Sequence, residues 1–558
     1  MTLKSRFTQP IFKLLIVLVL IASTGLSVAS HYGISWDEKA TLGVVDINYQ
    51  LVTQRGDPNG IRQHHRQYYG TWFNVAAEAV FKGQQAISLA AADGEEGETV
   101  LLDQLRSKHV FTFLVSLITY VAVAGLVGTI AGWEFCWIGP LMLLLMPRFW
   151  GNSFFNPKDI PLAAMFTFGT WMGARLIQHF HQTRWTRLSS KEALPAIGTN
   201  KTTGYALLYG LLVGFVAGTR IDSSVLILYV IIVDVGLQTW QGRSLKARLK
   251  FSQFYALMLA TAALAILTLY PGSWATPLSW YFAAFNFYYK EDWPHTVLFR
   301  GADIPADALP WDYLPTWIGI TTPTVVLLLF AAGCLLIGMK YRQLSAGQKA
   351  CVLLIGLQIF GLPLFAIIYQ ATLFDTLRQV LYVLPGIAAI ASVAVIWLYQ
   401  FFQEFFQPYL RPKVAGLALA SGLVALALPI VLDMAALHPY EYVYFNRVFG
   451  GLPAAEGQFE TDYWGVSMAD SAKWIQAQES GVGMLVSSDP TVSAELFASD
   501  SKTVVAYDDF DDGEERTGSS FYYLSLPRWG FEQRLADCPV VYSTIRQQVP
   551  LARVKECS

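Results

Sequence analysis

Over the first 435 positions, long apolar runs alternate with short polar interruptions, and the runs have one preferred length. Eleven apolar cores stand out, at 11–30, 109–131, 134–147, 161–180, 204–219, 223–239, 253–270, 317–339, 351–369, 380–401 and 414–433. Most approach the roughly 20 residues that carry an α-helix across a bilayer. The core at 134–147 is short, and the fifth and sixth form a tight pair around GTRIDSS. The pattern changes after 434. A helical period at 467–479 is followed by short strand-like runs, GMLVSS, KTVVAY, FYYLSL and PVVYSTI, which predict a small α/β domain. The expected fold is therefore mainly α: a polytopic membrane helix bundle over 1–433 with an α/β domain over 434–558.

Composition agrees. Of 558 residues, 54% are hydrophobic and only 14% charged, where a soluble domain carries roughly 25% charged residues. The net charge of −2 and the lack of a basic tail or zinc-type Cys/His spacing give no sign of nucleic-acid binding. Basic residues set a direction, because cytoplasmic loops retain Lys and Arg. Lys4, Arg6 and Lys13, then Arg184, Arg187, Lys191 and Lys201, then Arg243, Lys246, Arg248 and Lys250 fall on one side of an eleven-span chain. Lys340, Arg342 and Lys349, and Arg411 and Lys413, fall there too. The N-terminus is then expected in the cytoplasm and the α/β domain outside. Val28-Ala29-Ser30 after a short apolar region also fits a signal peptide; the downstream orientation is the same either way.

The outer segments are 31–108, 148–160, 271–316 and the tail. The first reads as amphipathic helices on the membrane, with aromatics through HHRQYYGTWFNVAAEAVF (64–81) and a solvated acidic loop DGEEGE (93–98). At its start, ISWDE (34–38) gives Ser35 and Glu38 the spacing of a helix capping box. Asp37 and Glu38 are first-turn acids that complement a helix dipole, and that reading is complete in itself. The functional reading adds that a first-turn Asp stays ionised and serves as general base at the bilayer surface. RFWGNSFFNPKDIP (148–161) repeats the device, with Asn156 as N-cap, Pro157 at the first helical position and Asp159 in the first turn.

Four cations lie at outer span ends, where the topology rule disfavours them: Arg148, Lys158, Arg220 and Arg378. Local pairing with Asp222, Asp375 and Asp159 explains Arg220, Arg378 and Lys158 individually. Together with two carboxylates from separate loops, the four suit a phosphate, for which Arg forks and Lys point charges are the usual partners. A polar site beside lipid implies a substrate that is itself part lipid. His64, His65, Arg66 and His295 are weaker candidates. Tyr463 and Trp464, in TDYWG (461–465), are acceptor-side candidates, against which stands simple packing. Cys538 and Cys557 lie in the polar tail, where a disulfide forms if that tail is outside the cytosol.

These motifs resemble those of the C-type fold of lipid-dependent glycosyltransferases. The nearest likeness is to the family of protein O-mannosyltransferases and the bacterial lipid A aminoarabinose transferase. It is carried by ISWDE (34–38), PRFWGNSFFNPKDIP (147–161), GTRIDS (218–223) and RQVLYVLP (378–385), with HPYEYVYFNRVFGG (438–451) and FETDYWGVSMADSAKWI (459–475) after the last span. The resemblance implies a multi-pass enzyme of the bacterial inner membrane. It would take a sugar from a polyprenyl-phosphate donor, invert the anomeric centre and deliver the sugar to an envelope acceptor on the outer face. Asp37 matches the catalytic aspartate and Glu38 its orienting neighbour. Asp159 matches a second acid, and Arg220 and Arg378 lie at comparable loop ends. Gln379 stands where some relatives are expected to carry histidine. No cofactor is required, although Asp37 and Asp159 could share a divalent metal if brought together. Three other readings remain open: an oligosaccharide ligase or polymerase using a diphosphate-linked glycan, a transporter of lipid-linked sugar, and a non-catalytic scaffold.

Overall fold

A computed structural model describes residues 3–53, 65–91, 100–189, 196–242, 245–406, 412–478, 482–498, 502–510 and 520–558. Helices α1 (Leu3–Val28), α2 (Trp36–Thr53), α3 (Thr71–Ala91) and α4 (Val100–Ala131) precede two short helices, α5 (Ile138–Leu144) and α6 (Pro147–Phe155). Next come α7 (Asp159–Ser189), α8 (Lys201–Ala217), α9 (Val225–Trp240), α10 (Leu245–Leu269) and α11 (Pro277–Tyr289). A hairpin of β1 (Thr296–Phe299) and β2 (Ala302–Pro305) leads to α12 (Tyr313–Thr321), α13 (Thr324–Lys340), α14 (Ala346–Ile368), α15 (Val383–Phe406) and α16 (Pro412–Leu437).

Among the described residues, eight helices are long and apolar enough to cross a membrane, and Lys201–Ala217 and Val424–Leu437 are shorter apolar helices. The chain is a multi-pass membrane protein. α15 is buried along most of its length and packs on α4 and α13. Its apolar residues on all sides are what a helix at the centre of a bundle needs.

The third predicted core, 134–147, is not one span. α5 has 7 residues, about 10 Å of helix at 1.5 Å per residue, which is too short to cross. The chain breaks at Leu145–Met146 and resumes as α6, with Pro147 in its first turn. Trp137, ahead of α5, lies under Lys13 Nζ at 5.7 Å, whereas Phe155 packs on Tyr442 and Trp464. The broken pair thus runs from the Lys13 end of the bundle to the end that carries the α/β domain. The expected outer loop at 148–160 is mostly this helix, and every residue of α6 is buried. RFWGNSFF hides that burial from the sequence because a helix covered on all sides has no polar face. Gly151 makes the fit: a Cβ there would stand 2.6 Å from Tyr442 N.

Helices α17 (Gly451–Ala455), α18 (Met468–Gln476) and α19 (Val492–Ala498) accompany strands β3 (Met484–Ser487), β4 (Thr503–Ala506), β5 (Phe521–Ser525), β6 (Val540–Arg546) and β7 (Val549–Cys557). The sheet order is β4-β3-β5-β7-β6. β3 runs parallel to β4 and β5, and β7 antiparallel to β5 and β6. Both faces are covered, so all five residues of β5 are buried: Tyr522 and Leu524 face one core, Phe521 and Tyr523 the other. Cys538 and Cys557 form a disulfide that ties the approach to β6 to the end of β7. Each of the four strand-like runs contains a strand; a fifth strand, β7, follows them, and the β1–β2 hairpin and α19 are additions.

The segment 438–466 belongs with the bundle. Tyr442, Phe445 and Trp464 share one core with the membrane helices, whereas the sheet's own core starts at Met468. Asp462 knots this strap. Its buried carboxylate accepts from the backbone N–H groups of Gly465 (2.7 Å), Ser467 (2.9 Å), Trp464 (3.2 Å) and Val466 (3.3 Å), and from the Tyr442 hydroxyl. Asp462→Ala leaves these donors buried without an acceptor, so a loss of about 3 kcal/mol is expected. Thermal unfolding of the detergent-solubilised protein checks it; an unchanged midpoint would show that the knot is dispensable.

Candidate active site

Two local devices place the first acids. At α2, Ser35 N donates to Glu38 Oε2 at 2.8 Å, but the Ser35 hydroxyl turns to Phe155 O at 2.9 Å. Only half of the expected capping box forms, and the other half ties α2 to α6. Trp36 N donates to Trp464 O at 3.0 Å, which fixes the start of α2 against the strap. At α7, Asn156 Oδ1 accepts from Asp159 N at 2.8 Å and Lys158 N at 3.2 Å, as an N-cap does. Close approach matters on a third side. A Cβ on Gly70 would stand 2.5 Å from Thr219 O, so glycine there lets Tyr69 and Arg220 line one wall.

The result is a pocket at the α/β end of the bundle, lined by Asp37, Lys158, Asp159, Arg220, Glu291, Asp375, Arg378 and Arg528. Trp36, Tyr69, Tyr289, Trp293 and Trp464 supply aromatic walls, and Leu362 and Ala366, from membrane helix α14, an apolar one. Arg378 is central. Its Nη1 lies 3.2 Å from Asp37 Oδ2 and 3.5 Å from Asp159 Oδ2, and its Nε donates to Asp375 Oδ2 at 2.9 Å. Lys158 Nζ holds the other oxygen of Asp37 at 3.2 Å and sits 4.1 Å from the Tyr69 ring centroid. Arg220 forks onto Asp222 at 3.0 and 2.7 Å and reaches Asp159 Oδ1 at 3.8 Å.

Arg528 brings the α/β domain into the pocket. It bonds Asp375 Oδ1 at 2.6 Å, Glu460 Oε1 at 2.8 Å and Tyr463 O at 2.6 Å. Trp464 Nε1 donates to Asp375 Oδ2 at 3.1 Å, and its ring lies 5.0 Å from the Arg378 guanidinium carbon. Asp375 is therefore a shared anchor for two arginines.

Asp37 is 16% exposed at its side chain. Burial pushes its carboxyl up, but Lys158 and then Arg378 outweigh burial and hold it below its ordinary value of 3.8. Lys158 is raised: burial opposes its charge, and Asp37 overcomes that. Asp37 is thus ionised at neutral pH.

Several expected residues fall elsewhere. Glu38 points away from the pocket, is 1% exposed, and lies 2.7 Å from His109 Nε2. It braces α2 against α4 rather than touching Asp37's surroundings. Lys158 pairs with Asp37 instead of its neighbour Asp159, because the Asn156 cap turns the Asp159 carboxylate inward to Arg378 and Arg220. Arg148 is not in the pocket wall. It is buried among Trp317 and Phe445 and donates to Tyr444 O and Thr376 Oγ1. His65 does not line the pocket but stacks behind Phe287, which does; Tyr463 is likewise outside the lining, and Trp464 is part of it. His64 and the DGEEGE loop lie outside the described residues. Among the described residues, no group of three or more His, Cys, Asp or Glu side chains is placed to hold a metal ion; an arginine nitrogen stands between Asp37 and Asp159. The sequence reading missed Arg528, Glu460 and Glu291. Arg528 carries no local signal, since its carboxylate partner is 153 residues away.

The fold and the pocket define a multi-pass membrane protein with a charge-dense site at one end of its helix bundle. No protein-family model and no curated protein sequence matches the chain. Among solved structures it is similar to ArnT from Cupriavidus metallidurans bound to undecaprenyl phosphate, at 13% identity over 97% of each chain and a TM-score of 0.45. It is also similar to the Archaeoglobus fulgidus oligosaccharyltransferase in its apo form, at 12% identity over 92% of this chain and 69% of that one, with a TM-score of 0.47. The archaeal oligosaccharyltransferase AglB from Archaeoglobus fulgidus, in complex with an inhibitory peptide and a dolichol-phosphate, gives 12% identity over 88% of this chain and 64% of that one, with a TM-score of 0.47. Similarity this distant leaves the function to the geometry of the site.

Proposed function

We propose that this protein is a membrane glycosyltransferase that moves a sugar from a polyprenyl-phosphate donor to an acceptor at the outer face of the membrane, with Asp37 as general base. One observation carries the reading. Asp37 is gripped by Lys158 and Arg378 in a pocket whose apolar wall is part of a membrane helix. A lipid phosphate entering along α14 competes with Asp37 for those cations. Relieved of them, Asp37 becomes a stronger base at the moment the donor is bound. The acceptor O–H or N–H gives its proton to Asp37, its heteroatom bonds to the anomeric carbon, and the carbon–oxygen bond to phosphate breaks on the opposite face. The phosphate leaves with the electron pair, and fixed cations stabilise its charge. A phosphate leaving group needs no general acid, unlike the alkoxide in glycoside hydrolysis. Direct displacement inverts the anomeric centre. The motif resemblance supports the same chemistry.

The orientation proposed is N-terminus inside, α/β domain outside. Lys349 lies over the Trp240 ring at 5.6 Å and Trp240 stacks on Tyr341, so two basic connections gather at the end away from the pocket, as the topology rule favours for the cytosolic side.

The test is release of polyprenyl phosphate from a panel of labelled polyprenyl-phosphate sugars by the purified protein, with an envelope extract as acceptor. Turnover with one sugar supports the reading. Turnover only with diphosphate-linked glycans would replace it with a ligase, and silence with both would remove it.

The pH profile supplies a separate check. A carboxylate whose folded pKa is depressed keeps its charge, and the stability that charge brings, until pH falls through that lowered value. The acid limb of kcat/KM, which reports the free enzyme, is expected below 3.8. The limb of kcat, which reports the donor complex, is expected at higher pH, because the phosphate has drawn the cations away. A kcat limb at or below that of kcat/KM would contradict this exchange of partners.

A further inference from the structure

A second cavity, of 630 Å³, opens between α7 and α8. That is within the range of small-ligand pockets. Along α7, Asp159 and Arg175 are separated by about 24 Å at 1.5 Å per residue, so the cavity lies well away from the pocket described above and holds none of its residues. Its walls change character along their length. Phe168 and Met172 on α7 and Leu212 on α8 make one end apolar; Gln178, His179 and Gln182 make the other end polar. α7 and α8 are consecutive and packed together, so the groove has the polarity of a lipid: a wet end and an oily end. Its apolar wall faces outward. Leu208 is 63% exposed and Tyr205 47% exposed, in a bundle whose surroundings are lipid.

Arg175 decides the occupant. It sits inside a membrane span (Asp159–Arg184), is exposed on the groove and donates to Gln178 Oε1 at 2.8 Å. Arg184, Arg220, Arg378 and Arg528 each face a carboxylate within 3 Å. Among the described residues no carboxylate lies within 4 Å of Arg175. A charged residue within a span is costly and marks a functional contact unless it is paired. Beside it, His179 Nε2 meets Thr202 Oγ1 at 3.1 Å, next to Lys201 at the start of α8. The local charge is positive, and the anion that can reach it laterally is a lipid headgroup.

We propose that the groove between α7 and α8 binds an anionic phospholipid, with its phosphate on Arg175 and an acyl chain along Met172, Leu208 and Leu212. Bound there, the lipid neutralises a span-embedded guanidinium and fills the space between two helices. This site is independent of the glycosyltransferase reading, and its test reads binding, not transfer.

The experiment is native mass spectrometry of the full-length protein in neutral detergent, titrated with phosphatidylglycerol or with phosphatidylcholine of the same chains. Wild type is expected to retain one phosphatidylglycerol in preference to phosphatidylcholine. Arg175→Gln is expected to weaken retention about tenfold, the loss of one charge-assisted contact. Leu208→Trp, which fills the groove and leaves every charge in place, is expected to weaken it similarly. Arg342→Gln, a basic residue outside the groove, is expected to change nothing. Thermal unfolding confirms that each variant is folded. Equal retention of the two lipids, or wild-type retention by both groove variants, overturns the proposal. So does equal competition by glycerol 3-phosphate, which would make the site one for free phosphate.

Discussion

Asp37→Asn is expected to lower kcat by about 10³-fold, within the range that a positioned general base contributes, while the protein folds and still binds donor. Asparagine keeps the shape and both polar positions of the side chain, so the first turn of α2 is undisturbed. It cannot accept the acceptor's proton. The substitution also releases Lys158 and Arg378 from a carboxylate, so donor affinity should hold or rise as turnover falls. That split separates a base from a residue that merely holds the pocket together, whose loss would weaken binding and stability as well. Single-turnover release of polyprenyl phosphate, with donor binding measured on the same preparation, reads both quantities. Turnover within tenfold of wild type would remove Asp37 from the chemistry.

The second large effect is expected at Arg378. Arg378→Lys should reduce kcat/KM about 10²-fold, the scale set by losing one fixed donor at a developing oxyanion. An ammonium retains the charge but cannot span Asp375, Asp37 and Asp159 as the guanidinium does, with Nε to one and Nη1 to the other two. Arg378→Gln should be worse in a different way. It leaves three carboxylates sharing less positive charge in a buried setting, and breaking such an arrangement costs about 3–5 kcal/mol. Melting temperatures of the two variants in detergent therefore separate charge from geometry. A Lys variant as active as wild type would show that a point charge suffices. A Gln variant as stable as wild type would show that the carboxylates are neutralised by other groups.

The apolar cores, their approximate lengths and the helix start at Trp36 were legible in the chain itself, and so, to within two residues, was the start at Asp159, which the sequence places at Pro157. Each depends on local chemistry: about 20 apolar residues for a span, and an Asn, Ser or acidic residue at a first turn. The pairs Arg220–Asp222 and Arg378–Asp375 were equally visible, being two and three residues apart. The strands beyond 480 could be read because β-branched and aromatic runs between turn residues mark pleated, buried segments. What failed was of another kind. α6 reads as a loop because its burial comes from the 441–443 segment and α4, which leaves no pattern in RFWGNSFF. Adjacency pairs Lys158 with Asp159, whereas the Asn156 cap aims the two side chains apart and Lys158 meets Asp37.

Determined by the sequence alone, then, are a many-span bundle, an α/β tail and a set of acids and bases at span ends. Whether those charges meet was decided by the tertiary structure. One guanidinium joins carboxylates from residues 37, 159 and 375, and Arg528 closes the pocket from a domain far along the chain. The physical reason is the reach of each interaction. Caps, periods and i,i+3 pairs act within a turn of helix and leave their trace in neighbouring residues. A Coulombic contact in a desolvated pocket acts between whichever groups the packing of the bundle brings within a few ångströms.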